Sequence, residues 1–188
     1  MTPAFVMASL PHLPPFGAAM AAPLGRDRLD ARLAVLPEDE RTMIADMRHR
    51  LQPWREPRAP ATRLPEAVVR LVDFHNRLLG GIARIRAVRL GRATAPGKPP
   101  LAAVLATAVA AALEAGDARA LEQIRIAQLW SQAERLADGH GLDRIALLLL
   151  VARWDLAVGW SAAEPAVARQ RLAAAARALA RQGLDARG

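Results

Sequence analysis

Between Pro65 and Arg92, Val68, Leu71, Val72, Leu78, Leu79, Ile82 and Ile85 recur at steps of three and four, and His75 falls in the same stripe. That spacing puts all of them on one side of an α-helix. At 1.5 Å per residue such a helix spans about 40 Å. A helix this long with one apolar side has to lie against other elements, so it constrains the fold more than any other segment. Pro65 suits its first turn, where a missing N–H costs nothing. Gly80-Gly81 lies mid-helix. Each glycine there costs about 1 kcal/mol relative to alanine, which a close crossing or a kink would explain.

The same punctuation divides the rest of the chain. Leu29, Leu33 and Leu36 share a face, and a second helix opens at Pro37 with Glu38, Asp39 and Glu40 at its positive end. Met43, Ile44, Met47 and Leu51 give it an apolar side, and it stops before Pro53. Residues 101–115 form a helix closed by Gly116, and Asp117 caps another that runs to Asp138. A third runs from about 143 to 159. Ser161 and Glu164 have capping-box spacing for a last one ending at Gly183. The expected organisation is one all-α domain, a compact multi-helix bundle. It comprises an irregular Pro-rich N-terminal arm (1–25), a helical hairpin (26–52), one long Arg-rich helix (64–92) and a four-helix C-terminal part (101–183). "AFVMASL" in the arm reads as a strand or a single helical turn. No hairpin signal and no repeat of 20–50 residues is visible.

Composition narrows the function classes. There is no Cys, which removes disulfides, thiolate nucleophiles and Cys-ligated metals. The formal charge is +8, and every basic residue except Lys98 is arginine. That sign favours acidic partners. No apolar run reaches the ~18 residues of a membrane span. The first charged side chain is Arg26, and Pro11, Pro14 and Pro15 break the segment before it, so a secretory signal is not expected. A cytoplasmic setting fits.

Catalytic signatures are missing. Gly91 to Lys98 looks briefly like a phosphate-binding loop, but it has one residue too many between its glycines and Pro99 where a hydroxyl is needed. His12, His49, His75 and His140 show no zinc-ligand spacing. His75 is expected to be a satisfied core or boundary residue, and His140 to cap or contact backbone in its Gly-flanked turn. Catalytic residues, cofactor and metal are therefore all assigned as none.

Arginine is the residue left to interpret. Glu66 and Asp73 precede Arg70 and Arg77 by four and can pair with them locally. Arg84, Arg86, Arg89 and Arg92 are the excess, at the negative end of the helix. Three readings stay open: a solvated face, then a docking face for an acidic partner, then a nucleic-acid surface. The last is disfavoured because no aromatics are interleaved for stacking. Trp130 shares a stripe with Ile126, Leu129, Ala133 and Leu136 and is assigned to the core, as are Trp154 and Trp160. Trp54, beside Arg55 in the linker "PWREPRAPATR", is the aromatic best placed to be an exposed anchor, with a lid on the bundle as its other reading. The candidate partner-binding set is Arg84, Arg86, Arg89, Arg92 and Trp54.

Taken in order, "FVMASLPHL", "FHNRLLGGIARIRAVRLGR" and "LEQIRIAQLWSQAERLADGHGLDRIALLLLVARWDL" resemble a family of short helical proteins encoded with bacterial V/A-type rotary ATPases. That family looks like a compact relative of the C-type (also d-type) socket protein of those machines. The likeness covers about two thirds of the chain and includes the Trp154-Asp155 pair. It departs at the start, where aromatic character is reduced to Phe5. The resemblance implies a non-catalytic coupling or assembly role. The protein would be a socket between membrane ring and central shaft, cytoplasmic and peripheral to the inner membrane through its complex. The alternative is a basic helical adaptor or regulator that binds an acidic protein or nucleic acid.

Overall fold

A computed structural model describes residues 2–17, 20–52, 63–92 and 101–162. Those residues are all-α: seven helices and no strand. They are α1 (Pro3–Ser9), α2 (Arg26–Leu33), α3 (Glu38–Arg50), α4 (Glu66–Arg89), α5 (Ala103–Glu114), α6 (Ala118–Ala137) and α7 (Arg144–Ala162).

The centre of the bundle is α7, which packs on α6, α3, α4 and α1. Its sequence explains why. Leu147, Leu148, Leu149, Val151, Trp154, Ala157 and Trp160 are all buried, so the helix is apolar on nearly every side. A helix of that kind has to be surrounded. Around it lie Leu29 and Leu33 of α2, Leu36 after it, Met43, Ile44 and Met47 of α3, and Ile126, Leu129 and Trp130 of α6. The N-terminal segment joins the same core through Val6, Leu13 and Met20, and the Phe16 ring lies 6.0 Å from both Trp130 and Trp160. "AFVMASL" is thus helical through Ser9, within α1, and its Leu10 is the extended C-cap.

Helix starts follow local chemistry. Pro37 and Pro65 stand immediately before α3 and α4, and Asp117 accepts the Ala120 N–H at 2.9 Å to cap α6. Asp143 likewise accepts the Ala146 N–H at 2.8 Å at the start of α7, while its other oxygen meets His140 Nδ1 at 2.8 Å. The backbone hydrogen bond, with help from His140, holds the Asp143 carboxyl below the usual range.

One boundary differs from expectation. Ser161 does not open a new helix; it lies in the last turn of α7. Its hydroxyl donates back to the Ala157 carbonyl at 2.9 Å and accepts the Ala22 N–H at 2.9 Å. Burial of Trp160 against Phe16 carries α7 past Gly159, so tertiary packing overrides the capping pattern. The fourth C-terminal helix expected up to Gly183 lies outside the described residues, as does Trp54.

Candidate functional site

The long helix α4 changes character along its length. Val68, Leu71, Val72, His75 and Leu78 are buried, and beyond Gly81 no residue of the helix is. Ile82 and Ile85 are only half-buried, and Arg84, Arg86 and Arg89 are exposed. Gly81 itself is explained by a contact. A Cβ there would sit 2.5 Å from Leu101 Cγ, so the glycine lets the start of the next segment press on the helix. Gly80 faces open space.

At the end of α4, Gly91 takes φ +65°, a left-handed conformation that favours glycine. The Gly91 N–H returns to the Val88 carbonyl at 3.0 Å and the Arg92 N–H to the Ala87 carbonyl at 2.9 Å. This turn folds Arg92 back toward the helix. Arg86 and Arg92 then border one open groove of about 850 Å³ between α4 and the first half of α6. Leu79, Ile82, Ala83 and Ala87 line one side of it and Leu121 the other. The Glu122–Arg125 pair, at 2.5 Å, closes the far rim.

The four candidate arginines therefore separate. Arg86 and Arg92 share the groove. Arg89 reaches across to the Glu114 carbonyl at the end of α5, 3.5 Å away. Arg84 is exposed and outside the groove. Among the described residues no carboxylate pairs with Arg84, Arg86 or Arg92. Upstream, Glu66 pairs with Arg70 at 2.5 Å, whereas Asp73 and Arg77 do not meet.

A second cluster had no place in the sequence expectations. Asp155, in the middle of α7, receives Arg48 Nε at 2.8 Å and Nη2 at 3.1 Å, and Arg26 Nη1 at 2.9 Å. Arg48 also meets Asp30 at 2.7 Å. Burial pushes the Asp155 carboxyl above the usual range, against the pull of Arg48 and Arg26. Arg48 is raised by Asp155 and Asp30, which outweigh its own burial. The cluster lines a cleft of about 160 Å³ that also touches Arg125. Arg125 Nη1 lies 3.5 Å from Nε2 of the fully buried His75. A signal for Asp155 was available: it is the lone acid in the apolar segment "LLLLVARWDLAV", and a charge there needs a partner.

Chemically, the Asp155 cluster is a latch, since its carboxylate is tied by guanidinium groups on two other helices. The α4–α6 groove is an apolar trough bordered by Arg86 and Arg92, neither matched by a carboxylate among the described residues, and is suited to holding a ligand. Among the described residues no three His, Asp or Glu side chains group as a metal site. No described helix is long and apolar enough to cross a membrane. No family model, curated protein or solved structure matches the chain.

Proposed function

We propose that the chain is a non-catalytic coupling or assembly subunit, and that its assembly is a V/A-type rotary ATPase. In that role it acts as a C-type socket between the membrane ring and the central shaft, at the cytoplasmic face. The observation that carries a docking role is the α4–α6 groove, with Arg86 and Arg92 at its rim and no acidic partner for either among the described residues. The identity of the assembly rests on the sequence resemblance.

A socket under torque has to transmit force through interiors that deform little. The α3–α6–α7 core, with its buried tryptophans, has that construction. Recovery of the tagged chain from its native cell, followed by mass spectrometry, tests the reading. Shaft and ring proteins are expected to co-purify. A preparation that instead carries an unrelated acidic protein, or nucleic acid released steeply by salt, points to the adaptor reading, which the +8 charge also fits.

A further inference from the structure

We infer that the α4–α6 groove receives a short amphipathic helix with acidic residues along one edge, contributed by the protein that this chain docks. The inference deepens the docking role proposed above and rests on it.

Shape comes first. The groove runs beside α4 from Leu79 to Leu90. At 1.5 Å per residue that is about 17 Å, or roughly three helical turns. The trough has a volume of about 850 Å³ and is lined by both helices. An amphipathic helix fills such a trough by laying its apolar stripe along the floor. The floor offers Leu79, Ile82, Ala83 and Leu121, and the alanine keeps it open enough for an incoming leucine. Leu90, 53% exposed, marks the open end. An apolar side chain that large beside an apolar floor is the kind of surface a partner covers.

Charge then selects the occupant. Arg86 lies on the last turns of α4, and the Gly91 turn sets Arg92 beside the same trough. Arg86 lies in the last turn of α4 and Arg92 just beyond it, where the partial negative charge of the helix end favours cations. No carboxylate among the described residues occupies either one, so each can take one in the two-pronged geometry that arginine favours. Glu122 adds no counter-charge, because Arg125 already neutralises it. A single nucleic-acid strand fits less well, since the described lining has no aromatic ring on which its bases could stack.

The test uses the full chain and a fluorescent 15-residue helical peptide, read by anisotropy. Its leucines recur at steps of three and four, with glutamates along one flank. Binding is expected. Replacing the glutamates with lysines should weaken it at least ~10-fold, and so should Arg86→Glu or Arg92→Glu, the scale of one charge-assisted hydrogen bond. Ala83→Trp fills the floor without changing charge and should have a similar effect. Arg77→Glu, exposed and outside the groove, should leave affinity within about twofold.

Equal losses at Arg77 and Arg86 would reduce the effect to overall charge and overturn the inference. So would an absence of peptide binding, or binding only to phosphatidylserine vesicles or single-stranded DNA. Failure of the assembly reading looks different. There, the native preparation lacks ATPase components while the peptide still binds wild type and not Arg86→Glu.

Discussion

Two halves of this bundle use arginine in opposite ways. Around α7, Arg48 joins α3 to Asp155, Arg144 joins α7 to Glu40 at 2.7 Å and Asp39 at 3.0 Å, and Arg153 meets Glu134 of α6 at 3.0 Å. Around the far end of α4 and α5, Arg84, Arg86 and Arg92 have no such partners among the described residues, and Val104 is 85% exposed. The difference lies in the carboxylates. Glu40 is buried and Asp155 nearly so, and both sit on helices that the apolar core already fixes. A guanidinium added to such a site closes a contact between distant segments. The same group on the rim of a solvent-open groove closes nothing among the described residues. Charge that is internal in one half is thus left available in the other.

The largest expected effect lies in the latched half. Trp130 is buried, lies against Phe16 and donates its indole N–H to Glu134 at 2.9 Å. Trp130→Ala should cost about 3–5 kcal/mol in urea unfolding. A shift near zero would show that this half is not packed as described.

Asp155→Ala comes next, at about 2–3 kcal/mol. It leaves the part-buried Arg48 with Asp30 alone, and the usual penalty for breaking a buried pair is reduced by that second partner and by solvent reaching both groups. Asp155→Asn sharpens the same point through pH. The carboxyl is raised in the folded state, so the fold holds that proton more tightly than the unfolded chain does. The stability from this group is complete below the unfolded value and is lost as pH rises through the folded one. The stability of wild type relative to Asp155→Asn should therefore fall as pH rises above 3.8, the ordinary value for this group. A difference that grows with pH would reverse the assignment.

Smaller effects belong to the open half. Gly80→Ala should stabilise by about 0.5–1 kcal/mol, since it gains helix propensity and meets nothing within 4 Å. Gly81→Ala should destabilise by about 1–2 kcal/mol as Leu101 is pushed aside. Equal responses at the two glycines would remove the close approach as an explanation. Smallest of all, Arg86→Ala should change folding stability by less than about 0.5 kcal/mol. Any larger loss would mean that Arg86 supports the fold itself.

Helix starts were legible wherever one residue decides them: Pro37, Pro65 and Asp117 each act on the adjacent turn. The stripe of the long helix was legible too, because periodicity is local, but spacing carried it through Ile85 whereas burial ends at Gly81. The opposite wall of the groove was not, since nothing near residue 86 announces Leu121. Arg92 joins Arg86 only because Gly91 turns the chain, which helical spacing alone does not describe. The Ser161 boundary misled because a capping pattern is a weak force beside the burial of Trp160. The Asp155 latch was hidden by distance, as its partners lie in a segment read for its own amphipathic face.

That distance has a consequence for synthesis. Arg48 and Asp155 are 107 residues apart. At the usual 5–20 residues per second, translation needs roughly 5–20 s to deliver the aspartate after the arginine. During that interval α2 and α3 exist without the helix against which they pack. The apolar faces of Leu29, Leu33, Met43 and Met47 therefore stay uncovered by α7 until the last of the described helices is made.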